Sequence, residues 1–82
     1  MKFLITMPKL AESKIMSNWG AVLDASRGSE LTMDRAYLNK EKGSVCCCWN
    51  APTREAVEEL FKKADVAYDE ITEVTEYSTT SF

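Results

Sequence analysis

The apolar spacing of this chain switches back and forth between two periods, and that alternation limits the folds open to it more than anything else in the sequence. Lys2–Met7 is a short apolar, β-prone run stopped by Pro8, as expected of a first strand. Ile15, Trp19, Val22, Leu23 and Ser26 then fall on one stripe of a period of about 3.6 residues, which predicts a helix. Ser13 is placed to cap its start and Gly28 to stop it. Gly20 lies inside it, where glycine either costs about 1 kcal/mol against alanine or admits a close backbone approach.

From Met33 the two-residue period returns, with Ala36 and Leu38 opposed to Arg35 and Tyr37. The polar stretch Lys40-Glu41-Lys42-Gly43 suits a hairpin connection, and Ser44–Trp49 resumes as a strand. Ala51-Pro52-Thr53 breaks the pattern, and Thr53 can cap a second helix carrying Ala56, Val57, Leu60, Phe61 and Ala64 on one stripe. Glu59 and Lys63 are spaced as an i, i+4 ion pair on that helix. Tyr68–Tyr77 reads as a last strand and residues 78–82 as a frayed tail.

Strand, helix, hairpin, helix, strand is the split βαβ order. With right-handed crossovers it gives an α+β, ferredoxin-like βαββαβ domain. Its four-stranded antiparallel sheet carries both helices on one face. The 82 residues make a single domain, too short for a large core, so a partner subunit would help stabilise it.

The helices can cover only one face of such a sheet. An uncovered face should be polar at alternate positions, yet Leu4 opposes Phe3, Ile5 and Met7, and Cys46 and Cys48 oppose Val45, Cys47 and Trp49. Both sides of the two central strands are therefore apolar. An apolar patch of that kind marks an interface, most simply with a second copy of the same chain. The loop at 26–32 or the C-terminal tail could alternatively fold over it.

Charge and residue types narrow the function. Residues 1–53 carry seven Lys/Arg and five Asp/Glu, whereas residues 54–82 carry three and eight. With the last third acidic and no basic cluster, neither nucleic acid nor an anionic membrane is an expected partner. Three adjacent cysteines are no disulfide framework. With no secretory signal and no long apolar run, they suggest a reducing cytoplasm. The absence of histidine removes the usual general base and excludes Ser/His/Asp and Cys/His nucleophile systems. No residue is therefore assigned a catalytic role, and no cofactor is expected. Glu70, Glu73 and Glu76 are close in sequence but read as the solvated side of the last strand.

Three functions remain open. A sheet-mediated homodimer would act as a small-ligand or protein binding module. A small dimeric α+β barrel enzyme would hold a pocket between sheet and helices, with Arg35, Tyr37 and Trp49 as the candidate lining. A thiolate metal protein would use Cys46 and Cys48, which share a face but supply only half of a four-sulfur set.

Gly43, Cys47, Ala51, Pro52, Ala56, Val57, Asp69, Glu70, Ile71 and Val74 follow a pattern of glycine, apolar strand with cysteine, Ala-Pro, helix and closing Asp-Glu-Ile-x-x-Val. In this the segment from Met33 to Val74 resembles a family of small bacterial and archaeal proteins of unknown function, described as nickel-binding-protein-like. The resemblance implies a ferredoxin-like fold that associates through its sheets. It also implies nickel with histidine among the ligands. Here the chain departs from the pattern, because Phe61 or a neighbour stands where the family often carries a helix histidine.

Overall fold

In a computed structural model the order is β1 (Lys2–Met7), α1 (Glu12–Ser26), β2 (Thr32–Asn39), β3 (Ser44–Asn50), α2 (Arg54–Ala64) and β4 (Glu70–Val74). Residues 1–82 are described, apart from the side chain of Ser81. The strands form one antiparallel sheet in the order β2-β3-β1-β4, so the first strand lies inside, between β3 and β4. This is the ferredoxin-like arrangement.

Alternation does the sorting. Phe3, Ile5 and Met7 of β1, Val45, Cys47 and Trp49 of β3 and Ile71 of β4 are all buried. They meet Ile15 and Val22 of α1 and Val57, Leu60 and Phe61 of α2 in one core. Phe61 sits edge-on to Trp49 at 6.4 Å and to Tyr68 at 5.6 Å, the T-shaped geometry that aromatic quadrupoles favour.

The helix ends follow local chemistry. Thr53 caps α2 as its side-chain oxygen accepts a 3.1 Å hydrogen bond from the Ala56 amide. Asp65 ends that helix in the left-handed region at φ 57°, and Lys62 and Lys63 place positive charge in its last turn. Helix α1 starts two residues earlier than a Ser13 cap would place it. Ala11 is its extended cap residue, its carbonyl accepts from the Lys14 and Ile15 amides at 3.0 Å, and no side chain caps it. Gly28, at φ 77°, follows the last turn of α1 as expected.

Some sequence expectations shift. Leu23 is exposed on α1, and its place in the packed stripe is taken by Ala21 and Ala25. A Cβ on Gly20 would meet no atom within 4 Å, so this glycine serves no close approach. Lys63 reaches the Ala25 carbonyl at 3.5 Å rather than Glu59, and the i, i+4 ion pair of α2 is Arg54–Glu58 at 4.0 Å. Strand β4 is shorter than the Tyr68–Tyr77 run, and Thr79–Ser81 form a short 3₁₀ turn in the tail.

Candidate functional site on the uncovered face of the sheet

The strand register places the other half of each strand on the face without helices. Three rows cross it. Arg35, Cys48, Leu4 and Thr72 form one, and Tyr37, Cys46, Thr6 and Glu70 the next. Thr32, Asn50, Lys2 and Val74 form the third. Leu4, Cys46, Cys48 and Val74 are only half-buried, while Cys47, between the two outward thiols, is fully buried in the core. The centre of the face is thus apolar and its margins are polar.

At one end of the face a bulge between Met33 and Arg35 turns Asp34 towards Lys2. The Lys2 ammonium donates to the Asp34 carboxylate at 2.7 Å and to the Glu76 carboxylate at 2.8 Å. Those bonds raise the Lys2 pKa above its ordinary value and hold Asp34 below the usual carboxylate range. One ammonium therefore ties the β2 bulge and the segment after β4 to the central strand. Sequence reading missed this cluster, since its members lie 32 and 74 residues from Lys2.

At the other end, Thr6, Tyr37, Asn39, Ser44, Val45 and Cys46 line a largely apolar cleft of about 300 Å³. Burial raises the pKa of Cys46, with the neighbouring Cys48 adding to the shift, and burial pushes Cys47 up to about 11. Both are therefore thiols rather than nucleophilic thiolates near neutral pH.

Arg35 and Tyr37 share one face of β2 as read from the alternation, but it is the uncovered face, away from the space between sheet and helices where a lining role was expected. Trp49 does not join them. It is fully buried on the helix side, because β2 pairs Arg35 with Cys48 and Tyr37 with Cys46. A shared pocket for Arg35, Tyr37 and Trp49 is thus ruled out by the pleat. The space between sheet and helices is filled by the aromatic and aliphatic core, and the cleft lies on the opposite face. The three glutamates of the C-terminal region also separate: Glu70 accepts from the Thr72 hydroxyl at 3.0 Å, and Glu76 from Lys2.

A family model described as "Nickel responsive protein SCO4226-like" matches residues 5–74, from the fourth residue of β1 to the end of β4. The chain belongs to the SCO4226-like family. The crystal structure of SCO4226 from Streptomyces coelicolor A3(2) is similar to it with a TM-score of 0.78, at 21% identity over 95% of this chain and 100% of that one. At that identity the likeness concerns the fold. No curated protein matches the chain.

The SCO4226-like family is described by its response to nickel, so the donor set of this member matters. It contains no histidine, and among the described residues no group of three or more His, Cys, Asp or Glu side chains converges within one chain. A nickel centre with imidazole ligands does not fit these residues. Among the described residues no helix is long and apolar enough to cross a membrane.

Proposed function

We propose that this SCO4226-like protein is a non-catalytic binding module that works as a homodimer, with two copies burying their uncovered sheet faces against each other. One observation carries the reading: Leu4, Cys46 and Cys48, on the two inner strands, form an apolar centre that no helix covers. The chain is a slab of 38 × 32 × 18 Å with 5598 Å² of accessible surface. A compact monomer of 9.3 kDa is expected to expose about 5,000 Å². The surplus of about 600 Å² per copy is in keeping with a flat subunit that leaves one sheet face open.

Pairing would also close the cleft beside Cys46 and Tyr37. An apolar enclosure with Thr6, Tyr37 and Asn39 among its lining residues suits a small, mostly apolar ligand. The upward shift of the Cys46 thiol and the lack of histidine leave no thiolate or imidazole base for catalysis there. Light scattering on reduced, untagged protein at micromolar concentration tests the reading. The expected mass is twice the 9.3 kDa of one chain, and a 9.3 kDa particle at all accessible concentrations would remove it.

A further inference from the structure

Cys46-Cys47-Cys48 is the sequence motif that core packing explains only in part, because the core takes Cys47 and leaves the flanking thiols outward. Free cysteine is ordinarily among the most buried residue types, so two half-buried thiols on an uncovered face call for an account. Their position supplies it. Cys47 is the middle residue of Ser44–Asn50, so Cys46 and Cys48 flank the midpoint of β3, an inner strand.

The two-fold axis that overlaps two such faces most fully lies in the sheet plane, across the strands, at the level of Cys47. It stacks each strand on its own copy running the opposite way. Cys46 then faces the second copy's Cys48, and Cys48 its Cys46. On the other strands Leu4 faces Thr6, Thr72 faces Glu70 and Arg35 faces Tyr37, so like charges do not meet and the guanidinium is offered an aromatic ring. Cysteine, threonine and leucine are small enough for the sheets to approach closely at this point.

We infer that Cys46 and Cys48 of two copies together form a four-sulfur site for a thiophilic divalent ion of the zinc class, one ion per dimer. The inference rests on the sheet pairing proposed above. Each chain alone offers half a tetrahedral set, and among the described residues no three-donor cluster forms within it. Binding replaces each S–H bond by an S–metal bond and releases up to four protons to the buffer, with no change of oxidation state. Arg35, directly across from Cys48 in the ladder, places positive charge beside the resulting anionic sulfurs. Sulfur donors without imidazole favour zinc or cuprous copper over the nitrogen- and oxygen-rich sites that suit nickel.

The test is titration of reduced, untagged protein with Co²⁺ and then Zn²⁺, read by thiolate-to-cobalt charge-transfer absorption, with sedimentation velocity on the same samples. Absorption saturating at one Co²⁺ per two chains, bleached by Zn²⁺, is the expected result. The variant Cys46→Ser/Cys48→Ser should lose the band and bind roughly 100-fold or more weakly while staying dimeric. Should that variant fail to fold, Cys46→Ala alone should still abolish the four-sulfur spectrum. A dimer without the band, saturation at one ion per chain, a band that survives in the variant, or Zn²⁺ displaced by Ni²⁺ would each overturn the metal site and leave sheet pairing standing. A chain that stays monomeric with and without metal would overturn both, whereas one that dimerises only with metal would support the four-sulfur site and correct the pairing to metal-dependent.

Discussion

Leu4→Glu should split the dimer while leaving the subunit folded, and the size of the effect can be worked from the two faces of β1. Fully burying a leucine side chain is worth about 1.5–3 kcal/mol, and Leu4 is already half-covered within one chain. The pair therefore loses about 2 kcal/mol of contact when both copies are changed. Two carboxylates placed in an apolar interface without partners add at least about 3 kcal/mol more. At about 1.4 kcal/mol per tenfold change, the dimer Kd should rise by roughly a thousandfold or more. The next residue is the control: Ile5 is fully buried on the helix side, and Ile5→Ala should cost about 2–5 kcal/mol of folding stability.

Urea unfolding at about 1 and 100 µM separates these effects, because dimer stability gains about 2.7 kcal/mol from a hundredfold rise in concentration. With a dimer m-value of roughly 2–3 kcal/mol/M, the wild-type midpoint should move by about 1 M. Leu4→Glu should remove the concentration dependence and Ile5→Ala should keep it at a lower midpoint. A wild-type midpoint that ignores concentration, or a Leu4→Glu protein that still sediments as a dimer, would refute the reasoning.

The other expectations concern the subunit itself. Gly20→Ala should raise stability by about 0.5–1 kcal/mol in thermal melts, since the added methyl meets open space on an exposed helix, whereas Thr53→Ala should lower it by about 1 kcal/mol through loss of the α2 cap. Asp34 has its folded pKa below the ordinary 3.8, so its contribution is present above that value and is lost as the pH falls through the depressed one. Lys2→Met should therefore flatten the acid limb of a stability–pH curve. In the Leu4→Glu monomer, iodoacetamide should label Cys46 and Cys48 before Cys47, read by peptide mass spectrometry. Because the Cys47 thiol is raised from 9.0 to about 11, it also makes folding stability fall as the pH rises through that window.

The element order was legible because each switch of apolar period was bounded by a clear signal, Pro8, Gly28, Gly43 or Ala51-Pro52-Thr53. Each strand's parity was legible too, which is why Val45, Cys47 and Trp49 were expected on one face. The offset between neighbouring strands was not. Whether Arg35 stands beside Trp49 or Cys48 depends on the hairpin turn, where the Gly43 amide donates to the Asn39 carbonyl at 2.7 Å, and on the bulge at Met33/Arg35. Neither leaves a periodic trace. The Ser13 cap failed for a local reason: the Ala11 carbonyl accepts the first helical bonds, which puts Ser13 inside the opening turn. The Lys2–Asp34–Glu76 cluster is closed by the bulge and by the path of the chain after β4, and so becomes visible only in three dimensions.

The place of β1 in the sheet has a consequence for how the protein is made. Strand β1, which precedes the other three along the chain, pairs with β3 and β4, the two that come after the β2 segment. The β2–β3 hairpin can close as soon as it emerges. Phe3, Ile5 and Met7 must remain without sheet partners until residues 44–50 follow, and β1 gains its second neighbour only with residues 70–74. Emergence of residues 70–74, rather than any local step, should therefore set when this subunit becomes resistant to protease.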